Sequence, residues 1–402
     1  MSHRVTALHC WNSPERPLGA RRLAVVLTLL GLASAVPAGA KTFAEDFGPV
    51  VRPLAGALAQ SIGRALPVTS ASPGIVYVFD FETGVSEREE VILGQLFLER
   101  AETVGRNKAN LGLSYQRVKI DTLDGDDIGE LHDTRFPITN PKGDVQFTIP
   151  SFGIDLETHE FTATATYGLT DDLDLNLALP VVYSDFGLRQ VLHLMKPRKE
   201  NRLVSIRSAE LGVGDIFLRA KYRLLRTDWA RVAGGLVLRV PSGNEDNFQG
   251  TGTVELAPML YASTKSFRIW RWLELQPYLN AGVNFDTNDV GQSEGRYGVG
   301  LDAGIPERFT AAVAFLGRHP FGRIARPGAF DIARIDPRTD ARLTLPLFGI
   351  RGGRPDFYDL SIGGRVNLWR DTLIGFVNAI VPLNADGFRS DVIPLVGIEA
   401  TF

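Results

Sequence analysis

Apolar and polar residues alternate strictly over long stretches of this chain. Between Phe161 and Tyr167, Phe161, Ala163, Ala165 and Tyr167 alternate with Thr162, Thr164 and Thr166. After the tight turn Thr170-Asp171-Asp172, Leu173, Leu175, Leu177, Leu179, Val181 and Tyr183 alternate with Asp174, Asn176, Ala178, Pro180 and Val182. Successive side chains on a strand point to opposite faces, so this pattern predicts strands with one oily and one polar face. The device recurs at Ile216–Leu224, Leu273–Phe285, Tyr297–Ile305 and Tyr358–Leu368. No stretch sustains a helical period. The pattern predicts about twelve strands, near residues 108–120, 157–169, 172–185, 210–225, 229–241, 253–265, 271–286, 294–305, 308–318, 356–369, 372–383 and 393–402.

The predicted connections alternate in length. Short turns fall at 170–171, 226–228, 266–270, 306–307 and 370–371, and longer loops at 121–156, 186–209, 242–252, 287–293, 319–355 and 384–392. Strands of roughly 10 residues joined alternately by short turns and long loops are the signature of an outer-membrane barrel. An even count leaves both ends in the periplasm. A soluble sandwich or a lipocalin-like barrel would carry the same alternation with its oily face inward. Two features favour the membrane. Tyr167, Tyr222, Trp229, Trp270, Trp272, Phe309 and Trp369 gather beside the short turns, as an interfacial girdle would. The chain also ends on the alternating Ile398, Ala400 and Phe402, a pattern suited to the barrel-assembly machinery. The fold expected is therefore all-β, a transmembrane antiparallel outer-membrane β-barrel of about 12 strands, with 14 as the alternative.

Composition agrees with export. Arg21-Arg22, the apolar run Leu23–Val36 and the small residues Ala38-Gly39-Ala40 read as a signal peptide over 1–40. Removing it takes away four arginines and one glutamate, so 43 basic and 46 acidic side chains become 39 and 45, a net charge of −6. The single Cys10 goes with it, which excludes a disulfide scaffold. The acidic balance argues against a nucleic-acid partner. Residues 41–107 are not barrel by pattern, although Val50–Ala65 suits a short helix and Ile75–Phe81 a strand. Three placements stay open for them: a lumen plug, a periplasmic segment, or two further strands. Residues 108–402 form the expected barrel.

Catalytic constellations fail. His159-Glu160 begins like a zinc-protease motif, but the fifth position is Ala163 and the segment is a strand. Gly112-Leu113-Ser114-Tyr115-Gln116 lacks the closing glycine of a nucleophile elbow. Gly298-Val299-Gly300 lies inside a strand with no helix to follow, unlike a dinucleotide fingerprint. The acidic run Asp121–Glu130 lacks EF-hand spacing and reads as a solvated loop. No enzyme, metal or cofactor is expected.

With oily residues facing lipid, the opposite parity lines the lumen. It carries Arg219, Lys221, Arg223, Arg231, Arg239, Arg296, Arg318 and Arg365 against Asp174, Glu255, Glu274, Asp302, Asp359 and Glu399. Eight cations beside six anions on neighbouring strands predict cross-strand ion pairs rather than a strongly selective filter. Val182, Phe217, Val237, Leu316, Ile374, Phe376 and Ile380 share this parity although they are apolar. They form either an apolar lumen patch or, within 372–383, a bulge that flips the register. The candidate solute-lining residues are Phe217, Phe376, Ile374, Ile380, Arg219, Arg223, Arg239, Glu274, Asn280, Arg296, Asp302 and Arg365.

Several short pieces occur in an order that resembles the outer-membrane transporter family of the meta-cleavage phenol-degradation pathway. They are Leu98–Gly105 (LERAETVG), Asn110–Tyr115 followed by Leu123-Asp124-Gly125, Tyr167-Gly168-Leu169-Thr170-Asp171, Gly214-Asp215 with Ala220-Lys221-Tyr222, Val240-Pro241-Ser242-Gly243, Gly250-Thr251-Gly252 and Asn378–Asn384 ending in Pro382-Leu383-Asn384. The likeness spans roughly residues 75–402. It implies passage of aromatic or other hydrophobic compounds and brings no catalytic residue.

The function expected is passive uptake of small hydrophobic or aromatic solutes across the outer membrane of a Gram-negative cell. The partners expected are outer-membrane lipid, lipopolysaccharide and, through Phe402, the assembly machinery. Two classes compete. One is a structural or interaction barrel with a sealed lumen and working loops at 186–209 and 319–355. The other is a barrel lipase, against which the missing Ser/His pairing counts.

Overall fold

The computed structural model describes residues 42–43, 62–64, 77–80, 85–88, 93, 97–132, 138–139, 146–196, 199–306, 308–322, 330–336, 341–345, 355–369 and 372–402. The expected signal peptide lies outside them. Thirteen long strands follow: β1 (Ala109–Ile120), β2 (Gln146–Gly168), β3 (Leu173–Lys196), β4 (Glu200–Val213), β5 (Ile216–Arg226), β6 (Ala230–Val240) and β7 (Glu255–Thr264). The remainder are β8 (Leu273–Asp286), β9 (Glu294–Ile305), β10 (Phe309–Pro320), β11 (Phe357–Trp369), β12 (Leu373–Pro382) and β13 (Ile393–Thr401). Neighbours pair antiparallel in chain order, with β3 passing directly to β5, and β13 returns to β1 through Thr401↔Asn110 to Leu395↔Gln116. The result is a closed twelve-stranded barrel, which leaves no unpaired edge in the wall. Among the described residues none upstream of β1 adds a wall strand, and the barrel closes at twelve rather than fourteen.

Outside and inside differ as a transmembrane barrel requires. Leu113 is 60% exposed and Val299 53%, whereas Gln276 and Asp302 are 0% exposed. All seven girdle aromatics are exposed beside the short turns, and Trp270 stacks on Trp272 at 5.9 Å. In outer-membrane barrels the short-turn end is periplasmic. The barrel is therefore of the outer-membrane type, its apolar face turned outward.

Three sequence expectations need correction. The strand expected at 210–225 is broken at Gly214-Asp215 into β4 and β5. The loop expected at 186–209 is strand: β3 runs 24 residues, turns, and returns as β4, paired from Val213↔Val181 to Glu200↔Leu194. Likewise β2 begins at Gln146, inside the loop expected at 121–156, and runs 23 residues. About 10 residues cross a bilayer, so β2, β3 and β4 continue well beyond the rim. There the outer face carries Glu157, Asp185, Arg189 and Arg207 beside an exposed Leu203. Alternation of oil against polar fades where both faces leave the hydrocarbon. The inner face of this extension carries buried Phe152, Ile154, Leu156, Phe186 and Leu188. Phe186 stacks on Phe43 at 5.3 Å and meets Phe248 edge-on at 5.6 Å.

The break at Gly214-Asp215 has a use. The Asp215 carboxylate accepts from Arg239 Nε at 2.7 Å, Gly243 N at 3.0 Å, Thr251 N at 2.8 Å and Thr251 Oγ1 at 3.1 Å. It ties the 242–252 loop down at the external end of β6.

Candidate functional site: a cavity in the external half of the lumen

The external ends of β5 to β13 surround a cavity of about 240 Å³. Strand alternation points Phe217 and Arg219 of β5, Arg239 of β6, Tyr261 of β7, Asn280 of β8, Arg296 of β9, Arg318 of β10 and Ile380 of β12 into it. Phe97, Leu98 and Glu99 contribute from upstream of the barrel, as do Gly63 and Arg64.

Ion pairs fix the polar part of the wall. Arg64 reaches Asp286 at 2.9 Å and Glu255 at 3.3 Å, and Asn284 donates to Glu255 at 2.7 Å. Arg296 holds Glu294 at 2.6 Å, and Arg318 lies 4.0 Å from the same carboxylate. Glu99 is 3.5 Å from Lys221 and 3.8 Å from Arg219. Arg389 pairs with Asp359 at 2.9 Å, and burial pushes its guanidinium down from the usual value against the pull of that carboxylate. Two rings lie between guanidiniums. Phe217 has Arg239 at 5.3 Å and Arg219 at 5.8 Å, and Phe357 has Arg318 at 4.5 Å and Arg389 at 4.8 Å.

Six of the twelve candidate residues meet at this cavity: Phe217, Ile380, Arg219, Arg239, Asn280 and Arg296. The other six face the lumen elsewhere. Phe376 packs on Leu395 and Phe97, and Ile374 on Leu93. Arg365 reaches Glu399 at 3.0 Å, and Asp302 accepts from Arg100 at 2.8 Å. At the short-turn end, Glu274 pairs with Arg268 at 3.0 Å and Arg223 with Asp172 at 2.7 Å. Pairing of β12 is unshifted against β13, and the register shift against β11, between Asn367 and Trp369 opposite Ile374 and Leu373, leaves Ile374, Phe376 and Ile380 buried and Val377 and Val381 exposed. The apolar lumen patch therefore stands, and the bulge alternative falls.

Cross-strand pairing accounts for only part of the lumen charge. Arg100, Glu99 and Glu102, all upstream of the barrel, hold Asp302, Lys221 and Arg231. Glu102 also accepts from Ser263 at 2.9 Å and Gln276 at 3.2 Å. Leu93 and Val104 bond near the short-turn end, to Thr310 and Asp174, while Leu98 clusters with Tyr278 and Ala314 farther in. A segment without period two has no facing rule, so Leu98–Gly105 stands out in the sequence only as a piece of the family resemblance and as the run Glu99-Arg100-Ala101-Glu102, three charges in four residues beside an apolar Leu98. Among the described residues no group of three acidic, His or Cys side chains could hold a metal ion, the Asp121–Glu130 run included.

No family model matches the chain, and no curated protein matches it. Solved structures with a similar arrangement include the COG4313 outer membrane channel from Pseudomonas putida F1 (11% identity, TM-score 0.43, 75% of this chain and 98% of that one). Others are the NanC porin (8%, 0.37, 72% and 98%) and a FadL homologue from Pseudomonas aeruginosa (12%, 0.30, 73% and 90%). The barrel itself rests on the strand pairings above, and the functional reading on the cavity.

Proposed function

We propose that this chain is an outer-membrane channel through which small aromatic or other hydrophobic molecules diffuse inward without energy coupling. The cavity carries this reading. Its volume of about 240 Å³ exceeds the roughly 150 Å³ of an apolar protein cavity that binds benzene. Phe217, Val237, Leu316 and Ile380 give it apolar wall, which sugar and inorganic-ion pores lack a use for. In this proposal residues 1–40 direct export, residues 41–107 include a lumen plug, and the phenol-pathway family is the relation to test. Uptake of an aromatic growth substrate should fall at least severalfold in cells lacking the gene and return on complementation. Equal uptake with and without it overturns the reading.

A second reading is a structural barrel with a sealed lumen. One observation favours it: Arg100, Ala101 and Glu102 are all buried inside the barrel, toward its short-turn end. A purified barrel that passes no current and no solute, even after the inner segment is loosened, would establish it.

A further inference from the structure

We infer that the cavity is built for an aromatic carboxylate rather than a neutral aromatic. This rests on the channel reading and narrows its solute class. Among the described residues, the cavity lining holds six arginines against three carboxylates, Glu99, Glu255 and Asp359. Each of those carboxylates already lies within 4 Å of a wall or segment cation. The arginines are less evenly matched. Arg296 and Arg318 share Glu294, which stands behind the lining, and their side chains stay 33% and 18% exposed.

The rings matter as much as the charges. Arg318 lies over the face of Phe357, and Arg239 over that of Phe217. Stacking fixes a guanidinium in place without engaging its five N–H donors, which radiate in the guanidinium plane. The one hydrogen bond Arg318 makes to a described residue runs from Nη1 to the Arg64 carbonyl at 3.1 Å. A neutral ring entering here would strip water from these cations and return only a cation–π contact for it. A carboxylate returns charge-assisted, two-pronged hydrogen bonds, while its ring meets Phe217 and Ile380. The anion shares the site with paired carboxylates, which keeps it weak enough to leave, as conduction demands.

The test uses the full-length protein purified in detergent, with benzoate and its near-isosteric neutral partner benzamide as probes. Equilibrium dialysis at low salt should give benzoate at least tenfold tighter binding than benzamide. Arg318→Gln should cut that ratio to about twofold, and Arg318→Lys should keep most of it. In planar bilayers, sodium benzoate should carry current that chloride at equal concentration competes for only poorly. If benzamide binds as tightly as benzoate, or if chloride competes equally, the anion-plus-ring inference is overturned and the channel reading stands. If neither probe binds and benzoate carries no current, both fall. A folded Arg318→Gln that retains the full ratio also overturns the inference; Arg296→Gln supplies the same test should the first variant fail to assemble.

Discussion

Arg100 donates from Nη2 to Asp302 Oδ2 across 2.8 Å, with both side chains at most 1% exposed. Asp302 accepts a second hydrogen bond from Tyr278 Oη at 3.2 Å. The pair joins a segment outside the barrel pattern to β9, three residues from its short-turn end at Ile305. Removing one partner leaves the other charge buried, which typically costs about 3 to 5 kcal/mol. Part of that cost is avoided here by detaching the segment instead. Arg100→Ala and Asp302→Asn should therefore each raise single-channel conductance severalfold in planar bilayers, with the barrel still assembled. The double change Arg100→Met with Asp302→Leu, which replaces the pair by apolar volume, should bring conductance back toward that of the unaltered protein. Unchanged conductance in the single variants would show that the segment does not obstruct the lumen.

Tyr278 also lies directly opposite Gly300 in the β8–β9 register. A Cβ on Gly300 would fall 2.2 Å from Tyr278 Cζ and 2.3 Å from its hydroxyl. The ring lies across the glycine, the device by which an aromatic covers bare backbone in sheets. Gly300→Ala should push the ring off Asp302 and loosen the Leu98 contact. Tyr278→Ala alone should cost about 3 kcal/mol or more through the cavity left. The two together should cost less than their sum, because the second change removes the clash made by the first. Urea midpoints in micelles read this coupling, and simple additivity would contradict the geometry.

The wall was legible in the sequence because a lipid-facing barrel separates two solvents with a strict period of two. Leu177 and Asp174 announce their faces without any partner being known. The extension of β2, β3 and β4 was not legible. Past Tyr183 the outer row reads Asp185, Gly187, Arg189, which water accepts as readily in a loop as in a strand. Half of the candidate site was legible by the same parity argument. The rest depends on pairs such as Arg100 with Asp302, 202 residues apart, and Arg64 with Asp286, 222 apart. No local pattern relates such residues, and only folding brings them together.

The orientation of the wall can be tested at Leu177. It lies on the outward parity of β3, paired with Leu218 on one side and Ala165 on the other, four residues from the short-turn end of its strand. An arginine on the lipid face near midplane costs roughly 2–4 kcal/mol. Leu177→Arg should lower barrel stability by that order, seen as a reduced urea midpoint and a weaker heat-modifiable band. Ala178→Ser, one residue on and facing the lumen, should change stability far less. If Leu177→Arg is as stable as the unaltered protein, the outward assignment of this row is wrong.

Asp215 is the node through which the external loop 242–252 can be released without touching the wall. Its carboxylate is fully buried, and four donors converge on it, two from backbone amides and one from the Arg239 side chain. Asn at this position would turn an amide NH2 toward donors, losing at least two bonds and leaving Arg239 with Glu255 at 3.7 Å as its remaining partner. A buried polar group left unpaired costs about 1–3 kcal/mol, and more where the lost bond was to a charge. That energy is local, since β5 and β6 keep their ladder from Ile216↔Val240 onward. Asp215→Asn should consequently leave assembly and heat-modifiability intact while speeding proteolytic nicking within residues 242–252 by an order of magnitude or more. Arg239, freed from Asp215, borders the cavity, so benzoate should bind more tightly in the same variant. Equal nicking rates in the two proteins would mean that the loop is held down by contacts other than this carboxylate.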